Sequence, residues 1–103
     1  MKFIPTNLAG AWVVEPERLG DERGYFARTF CRDEFAAHGL NPELVQCNVS
    51  FNAKRNTLRG MHYSRQAEAK LVRCVRGEIL DVVFDIRHDS KTFGQSIAFK
   101  LNA

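Results

Sequence analysis

The stretch Thr57-Leu58-Arg59-Gly60-Met61-His62-Tyr63, followed closely by Lys70-Leu71-Val72-Arg73, holds the residue types best suited to chemistry. It brings an imidazole, an ammonium and guanidinium groups onto what read as two neighbouring β-strands. On a strand, residues two apart share a face. Leu58, Gly60 and His62 are therefore expected to look one way, and Arg59, Met61 and Tyr63 the other. Gly60 has no side chain and leaves open space beside the His62 ring, where a small molecule could sit. The competing reading makes His62 an ordinary core or surface histidine beside a tight strand crossing.

The charge distribution narrows the choice of ligand. Between Lys54 and Arg76 the chain carries seven basic residues (Lys54, Arg55, Arg59, Arg65, Lys70, Arg73 and Arg76) against one acid, Glu68. The remainder carries eight basic and eleven acidic residues, so the net charge of +3 arises wholly in that central segment. A local cationic surplus on strands suits an anion such as a phosphate or diphosphate; a solvated basic surface is the plainer alternative. No stacking pattern of aromatic and basic residues and no recognition-helix pattern is present, so no nucleic-acid partner is expected.

The elements that must position these residues read mostly as strands. Residues 12–15, 24–30, 45–52, 57–63, 70–75, 78–87 and 95–101 show short apolar runs or period-two alternation. One short helix is expected over 32–38, anchored by Phe35 and closed by Gly39 as a left-handed cap. Arg76-Gly77 reads as a tight turn into the longest strand. On that strand Leu80, Val82, Phe84 and Ile86 share one face, and Ile79, Asp81, Val83 and Asp85 the other. Two acids on an otherwise apolar face suggest the wall of a polar cavity. Regularly spaced short strands with one small helix point to an all-β sandwich or barrel. At 103 residues the chain is one domain at most.

Three cysteines, Cys31, Cys47 and Cys74, form no CxxC pair and are odd in number. That argues against a disulfide framework or a zinc site and for reduced thiols in the cytoplasm. They are expected as small buried hydrophobes, and Trp12 as a core or dimer contact. His38 is expected at the surface near a helix C-terminus, and His88 in a solvated turn. No apolar run approaches the length needed to cross a bilayer, so no membrane partner is expected. The start of the chain, interrupted early by Pro5, does not read as a signal peptide.

Taken in order, several blocks resemble the dTDP-4-dehydrorhamnose 3,5-epimerases. They are Asp21-Glu22-Arg23-Gly24-Tyr25-Phe26, Gln46-Cys47-Asn48-Val49-Ser50, Leu58-Arg59-Gly60-Met61-His62-Tyr63 and Ala69-Lys70-Leu71-Val72-Arg73. Val75-Arg76-Gly77-Glu78, Asp81-Val82-Val83-Phe84-Asp85-Ile86-Arg87 and Thr92-Phe93-Gly94 continue the match. The resemblance implies a cupin-like jelly roll, an incomplete barrel in this chain, in a homodimer with exchanged or paired strands. It implies an isomerase acting on dTDP-4-dehydro-6-deoxy-D-glucose, inverting C3 and C5 on the way to dTDP-L-rhamnose. His62 then matches the base and Lys70 the cation near the C4 oxygen, while Arg23, Phe26, Gln46, Asn48 and Arg59 match contacts to the nucleotide sugar. No cofactor is implied. No metal is called for either, because the His-x-His pair of metal-binding cupins is replaced by His62-Tyr63-Ser64.

The residue types fit that chemistry. A proton beside a ketone is removed only if a base is close and the developing enolate oxygen is held by a positive group. Neutral imidazole, with an ordinary pKa of about 6.5, accepts protons near neutrality. The resemblance also carries three departures. The family's tyrosine acid, and the aspartate that pairs with its base, are expected in a C-terminal part that the chain lacks, and neither Tyr25 nor Tyr63 takes the tyrosine's place. The interval from His62 to Lys70 is two residues short, which preserves strand parity. Arg28 stands where an acid is usual. A second reading therefore stands beside the enzyme: a truncated or non-catalytic cupin-like domain that binds a nucleotide sugar or mediates dimerisation.

Overall fold

Three antiparallel hairpins hold all the regular β-structure in the computed structural model, which describes residues 1–103. β1 (Lys2–Pro5) pairs with β2 (Trp12–Glu15), β3 (Arg18–Asp21) with β4 (Gly24–Ala27), and β5 (Glu78–Phe84) with β6 (Ser96–Asn102). One helix, α1 (Arg32–Ala37), follows β4. Its end is the expected one: Gly39 adopts φ +69°, and the His38 and Gly39 amides donate back to Phe35 and Ala36.

Alternation decides how these pieces pack. Phe3 lies opposite Val14, and Pro5 opposite Trp12, so the four share one face of the first hairpin. That face receives α1. Phe35 meets Phe3 edge-on at 5.3 Å between ring centroids and lies 4.9 Å from Phe30, while His38 stacks on Phe3 at 3.9 Å. The Trp12 ring completes the cluster edge-on to His38, and Trp12 itself is half-buried, as expected for a core contact. On the other face of the hairpin, Ile4 and Val13 look across a groove of about 370 Å³ toward Ile97 and Phe99 of β6. Ile79, Asp81 and Val83 pair with Leu101, Phe99 and Ile97, making one half-buried face of the third hairpin. Its opposite face, with Leu80, Val82 and Phe84, is exposed.

Between α1 and β5 the sequence-based expectation and the structure part. Residues 41–76 make no backbone–backbone hydrogen bond, so the strands expected over 45–52, 57–63 and 70–75 do not form. Their alternation is genuine, but a strand exists only through a hydrogen-bonded neighbour, and no other segment of the chain lies beside them as one. Within the segment only Cys74 is buried, whereas Val45, Val49, Phe51 and Leu58 are almost fully exposed. The consequence is visible globally. The accessible surface is 9220 Å², against about 5,900 Å² for a compact monomer of 11.7 kDa. The radius of gyration is 15.2 Å, against about 13 Å for a compact domain of this length.

Two further expectations are corrected. Asp85 does not line a cavity; it is buried at the root of the loop joining β5 to β6, where the side chains of Arg87, Ser90 and Thr92 all bond it. The three cysteines do not behave alike: Cys74 is buried, Cys31 half-buried and Cys47 exposed. His38 is exposed as expected, its Nδ1 2.8 Å from the Glu34 carbonyl oxygen, and His88 is exposed and tilted against Phe93. β1 and β3 were not expected: Pro5 closes the first, and Gly20 with flanking charges obscures the second. No helix is long and apolar enough to cross a membrane.

Candidate functional site

The β3–β4 hairpin builds the first part of the site. Its pairs, Arg18 with Ala27, Leu19 with Phe26, Gly20 with Tyr25 and Asp21 with Gly24, leave Glu22 and Arg23 as a two-residue tip. Gly24 supports the turn with φ +129°, a conformation that side-chain-bearing residues rarely adopt. Asp21 accepts the Arg23 backbone N–H at 2.9 Å, and its carboxylate takes Arg23 Nε at 3.2 Å and Nη2 at 2.6 Å. That mutual bonding holds the Asp21 carboxyl below its usual range and raises the Arg23 guanidinium. Leu19, Asp21, Arg23, Gly24, Tyr25 and Phe26 line a shallow hollow of about 230 Å³. The hairpin therefore brings Arg23 and Phe26 to one place, with Phe26 about three-quarters exposed and Arg18 seated over the Tyr25 ring at 4.5 Å.

The other candidate residues lie on the unpaired segment. Gln46 and Asn48 are exposed, and their side chains make no hydrogen bond. Arg59 is held locally: Nε donates to Asn52 Oδ1 at 2.6 Å, and Nη2 to the Phe51 carbonyl at 3.1 Å. His62 is exposed and leans on the bare Cα of Gly60. A Cβ at position 60 would lie 3.5 Å from His62 Nδ1 and 3.3 Å from its backbone N, and Gly60 itself has φ +98°. The space that the glycine leaves is thus taken up by the imidazole. Lys70 is exposed and lies 3.6 Å from Glu68. No hydrogen bond or ion pair joins His62 to Lys70, or either of them to the Arg23 hollow.

The structure therefore presents two groups of candidate residues. One is the preformed Arg23–Phe26 hollow. The other is an open basic segment holding Gln46, Asn48, Arg59, His62 and Lys70. No three His, Cys, Asp or Glu side chains cluster as metal ligands would. Two residues that shape the site escaped the sequence reading, Asp21 and Asn52, the partners of Arg23 and Arg59. The signal for Asp21 was available: an Asp two residues before an Arg at a hairpin tip is an Asx turn. Nothing local marks Asn52, which lies seven residues from the arginine it holds.

Comparison with known proteins adds what geometry alone does not. A family profile described as dTDP-4-dehydrorhamnose 3,5-epimerase matches residues 5–103. The dTDP-4-dehydrorhamnose 3,5-epimerase of Methanothermobacter thermautotrophicus is 45% identical over 102 residues, covering 98% of this chain and 55% of its own length. That of Shigella flexneri is 43% identical over 106 residues, covering all of this chain and 58% of its own. A crystal structure of the Bacillus anthracis enzyme, with TDP and PPi bound, superposes with a TM-score of 0.90 at 37% identity. It covers 98% of this chain and 59% of that one. The chain thus spans a little over half the length of the relatives it matches. So high a score over so much of the chain means that the unpaired segment follows a backbone course also seen in an experimental structure. The architecture is accordingly nearly all-β and cupin-type, with one short helix and with sheets not closed into a barrel.

Proposed function

This chain belongs to the dTDP-4-dehydrorhamnose 3,5-epimerase family, and on that premise we propose that it carries the base-bearing part of a nucleotide-sugar isomerase site. The substrate in this reading is dTDP-4-dehydro-6-deoxy-D-glucose. Neutral His62 removes the proton beside the C4 ketone, and Lys70 holds the enolate oxygen that results. Arg59, Gln46 and Asn48 hold the nucleotide sugar, with Arg23 and Phe26 reaching it from the β3–β4 hairpin. Residues 1–103 form a single cupin-like domain, and the reduced cysteines suit the cytoplasm. The partner is a second copy of the chain, paired with it or exchanging strands.

One observation carries this reading. The His62 imidazole lies open to solvent over Gly60, within the segment that holds the chain's whole cationic surplus. An exposed base among a surplus of cations suits an acidic carbon on an anionic substrate, because each of its two demands is met by a different residue type. The second reading, a non-catalytic domain that binds a nucleotide sugar, is favoured by Lys70 resting against Glu68 rather than near His62.

Solvent deuterium separates the two. With dTDP-4-dehydro-6-deoxyglucose in D₂O the chain is expected to wash deuterium into C3 or C5, since exchange needs only base and enolate stabilisation. His62→Ala is expected to abolish exchange while leaving dTDP affinity within about twofold. Exchange no faster than the buffer blank rejects the enzyme. Normal exchange in His62→Ala rejects the histidine as base.

A further inference from the structure

The third hairpin carries a device that the epimerase reading does not use. Asp85 is the one buried charged residue, 3% exposed. Its Oδ1 accepts the Arg87 backbone N–H at 3.0 Å and Arg87 Nε at 2.9 Å. Its Oδ2 accepts Arg87 Nη2 at 2.8 Å, Thr92 Oγ1 at 2.7 Å and the Ser90 hydroxyl. The backbone closes the same loop: the Asp85 N–H donates to the Gln95 carbonyl, and the Gly94 N–H to the Asp85 carbonyl, both at 2.9 Å. A carboxylate so fully bonded is a fixed anchor, with its charge matched by one guanidinium.

That guanidinium reaches further. Arg87 Nη2 also donates to the carbonyl of Ala9, in the turn between β1 and β2, and the Ala9 N–H donates to Thr92 Oγ1 at 3.0 Å. A Cβ on Gly10 would lie 3.3 Å from Arg87 Nη1. No other hydrogen bond joins the first hairpin to the third. In the same turn Leu8 is buried at 3% exposure, and Thr6 and Asn7 line the groove between Ile4, Val13, Ile97 and Phe99.

We propose that Arg87, seated on Asp85, is a clasp that locks the residue 6–11 turn onto the residue 85–95 loop, so that the first and third hairpins move as one body around their shared groove. Arg87 suits the task because its planar fork satisfies the carboxylate and the Ala9 carbonyl at once. A lysine in its place offers a single ammonium and cannot span both. Asp85, Ser90 and Thr92 are positioning residues that act through the guanidinium. The proposal stands or falls without the epimerase reading, because its test involves no substrate.

Hydrogen exchange on residues 1–103 provides that test. Arg87→Lys is expected to keep Asp85 paired, leaving protection of residues 85–95 near the native level. Protection of the Ala9 amide is expected to fall by about tenfold or more, the worth of one charge-assisted hydrogen bond. Arg87→Ala is expected to raise exchange in both segments. Native protection of residues 6–11 in both Arg87→Lys and Arg87→Ala overturns the clasp. Equal loss of protection across the whole chain in Arg87→Lys also overturns it, because it would mark general destabilisation in place of a local latch.

Discussion

Dilution should melt this protein. The chain exposes 9220 Å², about 3,300 Å² more than a compact monomer of its mass. An interface of ordinary size covers about 800 Å² on each partner, so residues 1–103 by themselves can bury most of that excess only through an extensive, obligate-type association. When folding and association are one event, stability depends on chain concentration, by about 1.4 kcal/mol for each tenfold change. For a two-chain unit of roughly 200 residues, each kcal/mol moves the midpoint by about 2–4 °C, giving about 3–6 °C per decade of concentration. Scanning calorimetry at 1, 10 and 100 μM, with sedimentation velocity on the same samples, reads this directly. The unpaired segment supplies the physical reason, since Val45, Val49, Phe51 and Leu58 are left exposed by everything else in residues 1–103. A midpoint constant across that range, with monomer mass throughout, refutes the reasoning.

Phe35→Ala is expected to cost about 3–5 kcal/mol, because Phe35 is one of three buried apolar residues and touches both Phe3 and Phe30; a urea titration followed by the fluorescence of Trp12 checks it. Gly60→Ala is expected to destabilise by about 1 kcal/mol or more and to shift the backbone at His62, since φ +98° and an approach of 3.3 Å to the His62 backbone N both oppose a methyl group; the His62 amide and ring resonances should shift, and an unchanged spectrum would contradict the geometry. Acid should weaken the fold through Asp85, Asp21 and Glu34, whose carboxyls are held below their ordinary values of 3.8 and 4.5, chiefly by the side-chain hydrogen bonds of Arg87, Arg23 and Arg28 respectively. Their stabilisation is complete above those values and is lost as pH falls below them, so urea midpoints should drop between pH 5 and pH 3 on a steeper slope in the native chain than in Asp85→Asn.

The sequence was legible wherever structure is local. The helix over Arg32–Ala37 shows in its Phe35 anchor and its Gly39 cap. Strand β5 shows in its alternation, because each needs only neighbours a few residues away or one hairpin partner. Three strands were read on a genuine period-two pattern in residues 41–76 and do not form, since a pattern states which face would be buried but not what buries it. Asp85 illustrates the same limit from the other side. Its parity on the strand expected over 78–87 matched a cavity-lining acid, yet β5 ends at Phe84, and Ser90 and Thr92 return along the loop to bond Asp85. The Asp85, Arg87, Ser90 and Thr92 spacing was in plain view; what it encodes is a loop folded back on one carboxylate.

The distribution of candidate residues over the fold follows from this division. Arg23 and Phe26 lie on a closed hairpin and are already placed, whereas Gln46, Asn48, Arg59, His62 and Lys70 all lie where the backbone has no partner. A base and an enolate-binding cation work only when held within about 0.5 Å of their productive positions, and an extended chain in water does not hold them so. In the proposed isomerase, whatever pairs with residues 41–76 therefore does two things at once: it covers the exposed apolar side chains and fixes the imidazole against the ammonium. On that reading assembly and chemistry are a single equilibrium. Deuterium exchange per chain should rise with concentration in step with the associated fraction seen by sedimentation. Exchange that is constant per chain while association varies would mean that His62 and Lys70 are positioned by something local to the monomer.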